Sequence, residues 1–254
     1  MLRLKRVSKR FNIDSDREVV ALNALDFELA RGEFVTMVGE NGSGKTTLLR
    51  VVTGEIAADA GQVLFGNVDA TKMPPYHRAR FVTHIHQSRE SGLPLSLTVE
   101  EVMRLALESR THGITRRGIH QRAEEQLESL RKGLSRTLKE QVWHLSGGEH
   151  QLVNLAVASV FADGPSKGGH ILLLDEHVSQ LDPVAHSVVM EATDQLIRSR
   201  RLSAVMATHN FELAVEYGDR QVVLSEGRIL KEFVGESRIR SPRELKDVIS
   251  NVLR

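Results

Sequence analysis

The chain has 254 residues, 41% hydrophobic and 26% charged, and its 34 basic and 33 acidic side chains leave a formal charge of +1. That is an ordinary globular composition with enough length for a sizeable core, and it excludes a chain dominated by disorder or by a strong basic field for coating nucleic acid. The absence of cysteine excludes disulfides and thiolate metal sites and fits a reducing cytoplasm.

From Met1 to Phe11 apolar residues alternate with Arg and Lys, so the continuous apolar run of an export signal is not visible. Gly32 to Val38 reads as a strand and Gly44 to Thr53 as a helix opened by a glycine-rich turn. Short branched-residue-rich strands are predicted at Arg80 to Gln87, His170 to Asp175, Leu202 to Thr208 and Gln221 to Leu224. This α/β pattern builds a mostly parallel sheet. Between Leu97 and Phe161 helical spacing takes over, at Val99 to Glu108, Gly118 to Arg131 and Gly147 to Val160, and marks an inserted helical subdomain. Ala162 to Gly169 is a loop by composition, and from Lys231 the chain is polar, closing with an amphipathic helix after Ser241 and Pro242. Apolar runs all fall short of the roughly 18 residues that span a bilayer, so membrane association is expected to go through a partner.

The run Gly39-Glu40-Asn41-Gly42-Ser43-Gly44-Lys45-Thr46 fits G-x-x-x-x-G-K-[ST] between a predicted strand and a predicted helix. In such a loop backbone N–H groups and the helix N-terminus cradle a triphosphate. Lys45 is expected to neutralise the β- and γ-phosphate oxygens, and the Thr46 hydroxyl to ligate Mg²⁺. Ile171 to Glu176 is an apolar strand ending in two acids: Asp175 is expected to hold Mg²⁺ and Glu176 to polarise the water that attacks the γ-phosphate.

Leu145-Ser146-Gly147-Gly148-Glu149-His150-Gln151 opens a predicted helix about twenty residues before the acidic strand, a layout that generic cap chemistry does not explain. With these motifs the sequence resembles the ATP-binding-cassette ATPases, whose signature reads LSGGQ or a near variant, over nearly the whole chain. The resemblance implies a P-loop (RecA-like) α/β core with a mostly parallel sheet, an antiparallel β subdomain and the inserted helical subdomain. On that reading one nucleotide-binding domain covers 1–254: core at 1–88 and 163–230, helical subdomain at 89–162, tail at 231–254.

The resemblance also implies roles. ATP is held by Gly39, Asn41, Gly42, Ser43, Gly44, Lys45, Thr46 and Thr47, with the Phe11 ring against adenine. Ser146, Gly147 and Gly148 bind the γ-phosphate held by a second copy or a paralogous subunit. Gln87 senses Mg²⁺, Ser179 to Asp182 resembles the loop that crosses the dimer interface, and His209 in Thr208-His209-Asn210 contacts the γ-phosphate. The segment from about Ser88 to Glu101, with Leu93, Pro94, Leu95 and Leu97, is the expected groove for a permease helix. Glu149, His150 and Leu152 depart from the commonest signature. His177 and Val178 replace the usual Pro-Thr, and this Asp-Glu-His form resembles bacterial uptake ATPases partnered with solute-binding proteins, some for aromatic amino acids.

The implied protein is the ATPase subunit of a membrane importer of a small solute, peripheral on the cytoplasmic face of the inner membrane. An exporter subunit stays open as an alternative. A soluble cassette acting on DNA or the ribosome is argued against, because neither a second Gly-Lys-Thr loop nor long heptads appear, and no nucleic acid partner is expected. His84 and His86 share one face of a strand, but with no third ligand evident in the sequence a structural role is expected for both.

Overall fold

A computed structural model of the chain describes residues 1–13, 16–88, 90, 92–110, 115–162 and 169–252. Among them, strands run β1 Leu2–Phe11, β2 Val19–Leu29, β3 Phe34–Val38, β4 Ala60–Phe65, β5 Val68–Asp69, β6 Val82–Ile85, β7 Ile171–Asp175, β8 Ser203–Thr208, β9 Arg220–Ser225 and β10 Arg228–Val234. The α-helices run α1 Lys45–Thr53, α2 Pro75–Arg78, α3 Val99–Glu108, α4 Arg116–Leu130, α5 Gly147–Ala162, α6 Pro183–Arg200, α7 Phe211–Glu216 and α8 Pro242–Val252. Of the loop expected at Ala162 to Gly169, residues 163–168 lie outside the described residues. The chain folds as two compact units, one formed by Met1–His84, Lys167–Glu176 and Arg201–Arg254, the other by Ile85–Ser166 and His177–Arg200.

The first unit carries the mostly parallel sheet, in the order β10-β9-β3-β8-β7-β6. β3 pairs in parallel with both β8 and β9, β7 pairs in parallel with β8, and β10 closes the edge antiparallel to β9. β3, β7 and β8 are buried at every residue, as continuous apolar runs in a covered parallel sheet must be. Alternation sorts their side chains into two cores. Val35, Met37, Leu173, Val205, Val222 and Leu224 pack with α1 and the four-stranded antiparallel sheet β2-β1-β4-β5, whereas Val38 and Val223 pack with α7, α8 and Phe233 on β10.

The antiparallel sheet agrees with the expected β subdomain, but hydrophobic patterning does not locate its strands. Bulges explain this: β1 and β2 shift register at three points, and Arg6 and Ala24 adopt positive φ. Each shift resets the two-residue alternation that identifies a strand. β10 is hidden in the same way at the start of the polar tail, because one polar-rich face of an edge strand reads as coil.

The second unit is helical. Thr98 caps α3 in a capping box with Glu101, and α3 and α4 both pack on α5. α5 is buried nearly all round, Leu152 included, so the residue standing where the family commonly has arginine is a core residue here. No described helix is long and apolar enough to cross a membrane.

His177, just past the acidic strand, is 2% exposed and bonds Thr193 Oγ1 through Nε2 at 3.2 Å. Burial, then the neighbouring His186, pushes its pKa down to about 3 from 6.5. The unfolded chain therefore binds a proton between these values that the folded chain does not, and stability falls as pH drops through that window. His177→Gln is expected to remove roughly twentyfold of the acid-induced loss in folding constant between pH 7 and 5. Urea melts at the two pH values measure this; identical acid slopes for both proteins would contradict the buried neutral imidazole.

Candidate active site

The phosphate loop is built by the turn from β3 into α1. Gly39 is required by approach, since a Cβ there would lie 2.2 Å from the Leu224 carbonyl oxygen. Gly44 is required twice over, by φ +107° and by the Ala21 carbonyl 2.4 Å from a Cβ. The loop is pinned by Ser43 N donating to Glu40 O at 3.1 Å and Gly227 N to Ser43 O at 3.0 Å. Lys45 is 6% exposed, and its Nζ donates to Gly39 O at 2.7 Å and Glu40 O at 3.1 Å. Burial lowers its pKa, against the pull of the Glu176 and Asp175 carboxylates. Asn41, Gly42 and Thr46 are exposed and Thr47 half-buried at the mouth.

Asp175 ends β7 with its Oδ1 accepting from Thr46 Oγ1 at 3.2 Å. Burial raises its pKa, against that hydrogen bond. A buried carboxylate beside a hydroxyl at a phosphate loop is a hard-oxygen pair of the kind that Mg²⁺ takes. Glu176 follows at φ 47°, a region costly for a side-chain-bearing residue, with its N–H donating to Ala207 O at 3.0 Å. This twist leaves its carboxylate 14% exposed and 2.9 Å from Nδ1 of His209, at the end of β8. Lys45, Thr46, Asp175, Glu176 and His209 thus share one site in the first unit. Phe11 also belongs to that unit, at the end of β1; the residue is 36% exposed, and the Lys9 ammonium lies 5.5 Å from its ring centroid.

Gln87, Ser146, Gly147, Gly148 and Asp182 belong to the second unit. Gln87 Nε2 donates to Ser179 Oγ at 3.1 Å, and Asp182 Oδ1 caps α6 by accepting from Val184 N and Ala185 N at 3.1 and 3.0 Å. At the signature, cap chemistry explains more than expected. Ser146 N and Oγ both donate to Glu149 Oε2, at 3.0 and 2.7 Å, and Glu149 N donates back to Ser146 Oγ at 3.3 Å. This is a capping box, legible as S-x-x-E at a helix start, in which Glu149 fills the position that glutamine can also fill. The pair of glycines following Ser146 is not required by the cap.

A strand, a glycine loop and a helix with Lys45 and Thr46 at its mouth, faced by one carboxylate ending another strand of the sheet and a second just beyond it, define a phosphate-loop ATPase. The chain belongs to the ABC transporter family, whose profile matches residues 22–179. It is 32% identical over 91% of its length and 90% of the relative's to a tyrosine transport ATP-binding protein of Clostridioides difficile. It is 36% identical to a lipoprotein-releasing system ATP-binding protein of Caulobacter vibrioides, over 84% of this chain and 89% of that one. Among solved structures, the dimer of an ATP-binding cassette in a post-hydrolysis state bound to ADP and Pi superposes with a TM-score of 0.78 at 25% identity, covering 91% of this chain and 97% of that one. The chain is an ABC transporter ATP-binding subunit that hydrolyses ATP, of the kind that dimerises and works with transmembrane permease components.

Proposed function

We propose that two copies of this chain clamp two ATP molecules head to tail and drive a membrane importer of a small solute, bound at the cytoplasmic face of the membrane. The observation that carries the symmetric dimer is that one chain holds both halves of a site: an intact phosphate loop at Gly39 to Thr46 and an intact Ser146-Gly147-Gly148 at the start of α5. Two copies therefore complete two sites without a paralogue.

In each site Thr46 and Asp175 would hold Mg²⁺, and Gln87 is the further residue that the family resemblance assigns to the ion. Bound there, the ion would supply neutralisation of phosphate charge. Lys45 and the loop N–H groups bind the same phosphates, and Phe11 stacks on adenine. Glu176 accepts a proton from the attacking water, while His209, held against Glu176 through Nδ1, presents its other nitrogen to the γ-phosphate. Ser146 and Gly148 of the second copy close over that phosphate, with Asp182 in the crossing loop.

Glu149 tempers this closure. The Ser146 hydroxyl, above all, holds its carboxyl below the usual carboxylate range, so an anion sits beside the surface that takes the partner's γ-phosphate. Glu149→Gln keeps the cap and removes the charge. It is expected to tighten ATP-dependent dimerisation about threefold, the scale of a partly screened charge pair. Weaker dimerisation in light scattering would contradict the placement of Ser146 at the phosphate.

Import of a small solute, an amino acid in the first instance, is supported by the Asp175-Glu176-His177 form and by end-to-end similarity to the tyrosine transport protein. The permease groove is drawn at 88–101, where Leu93 proves buried and Leu95 and Leu97 half-buried; residues 89 and 91 lie outside the described residues. Trp143 adds apolar surface there: it is 66% exposed, and its N–H donates to Leu95 O at 3.0 Å. Affinity purification from membranes with mass spectrometry of the co-purifying chains tests this reading. A permease with a solute-binding lipoprotein is expected; a permease with an export partner would overturn import.

A further inference from the structure

α7, Phe211–Glu216, is only six residues long and begins directly after His209 and its cap Asn210. The last carbonyls of a helix have no partners within it. Here side chains from three segments take them. Thr36 Oγ1 on β3 and Gln221 Nε2 on β9 both donate to Ala214 O at 3.1 Å, and Arg238 Nη2 donates to Val215 O at 2.8 Å and Tyr217 O at 3.4 Å. Gln221 is fully buried and makes a second pair of bonds, Nε2 to Ile239 O at 2.8 Å and Oε1 from Ile239 N at 3.0 Å. One buried amide thus ties the carbonyl end of α7 to the segment leading into α8. Beneath it Ala214, Phe211 and Val215 pack with Phe233, Ile239, Leu245 and Ile249.

The other end of α7 is continuous with the switch. Asn210 N donates to Thr208 Oγ1 at 3.0 Å, and Asn210 Oδ1 accepts from Glu212 N and Leu213 N at 2.8 and 3.3 Å. His209 between them is 57% exposed at its side chain, and a cavity of about 280 Å³ opens beside it, lined by Asn41, Phe211, Lys246 and Ile249 among others. Packing on that side does not set the ring. The ring is held instead by its 2.9 Å contact with Glu176 and by the backbone of 208–211, which runs directly into α7.

We infer that Gln221 and Arg238 are positioning residues for ATP hydrolysis, gripping the carbonyl end of α7 so that His209 is held against Glu176, and that the segment from Arg238 through α8 is thereby a lever on the switch. The inference rests on the reading of His209 as a γ-phosphate contact. Gln221→Met and Arg238→Met are expected to lower kcat about tenfold with ATP affinity within twofold, and Arg238→Lys to restore most of it. In a His209→Ala background neither is expected to lower kcat further, because the grip acts through His209.

These steady-state rates and calorimetric affinities are measured on the purified full chain, with folding checked by circular dichroism. Should Gln221→Met fail to fold, the half-buried Arg238 carries the test through its Met and Lys variants. Unchanged kcat in folded Arg238→Met, or full additivity with His209→Ala, would overturn the lever. Full turnover in His209→Ala alone would instead remove the underlying reading of His209.

Discussion

Glu176→Gln is expected to lower ATP turnover by about 10²–10⁴-fold, the range for loss of a general base, while ATP affinity stays within a few fold. The geometry separates the two effects. Glu176 sits past the end of β7 at φ 47°, aimed by that turn and by its 2.9 Å contact with His209 Nδ1, rather than on the phosphate loop itself. Glutamine fills the same space and keeps a hydrogen bond to the imidazole, but it cannot take a proton from water. Removing a negative charge near a triphosphate does not weaken binding, so the variant is expected to accumulate with nucleotide bound. A phosphate-release assay at wild-type rate would remove Glu176 as the base.

Lys45→Ala is expected to act on the opposite quantity, weakening ATP binding by about ten- to a hundredfold, as loss of a charged hydrogen bond worth roughly 1.5–3 kcal/mol implies. The ammonium is almost wholly buried, and burial already lowers its pKa; the Asp175 and Glu176 carboxylates oppose that shift. A triphosphate brings further negative charge to the same point and favours the charged form more strongly. The alanine also releases Gly39 O and Glu40 O from their bonds to Nζ, which loosens the loop. Titration calorimetry reads the change; unaltered affinity would contradict the role given to Lys45.

The two effects are separable in the sequence because their motifs carry local geometry. G-x-x-x-x-G-K-[ST] requires a strand before it and a helix after it, and β3 and α1 stand there, while the apolar run Ile171 to Asp175 has the pattern of a covered strand. The helix predicted at Val99 to Glu108 from its helical spacing agrees with α3 to the residue, and the structure adds the S/T-x-x-E box that Thr98 and Glu101 form. Less legible are features whose cause lies far along the chain. β1 and β2 are read only once their bulges are known, and Gln221 reads as no more than the polar start of an apolar strand until Ala214 and Ile239 are seen to need its amide. The capping role of Glu149 is present in the spacing Ser146-x-x-Glu149 but hidden behind the signature that the same residues spell.

Whether hydrolysis requires a site completed by a second copy is tested most directly by sedimentation of the Glu176→Gln chain with saturating Mg²⁺ and ATP. A dimer is expected with ATP, a monomer with ADP, and a monomer with ATP once Ser146→Arg is added to the same chain. A Glu176→Gln chain that binds ATP and stays monomeric, or a dimer indifferent to Ser146→Arg, would contradict the composite site.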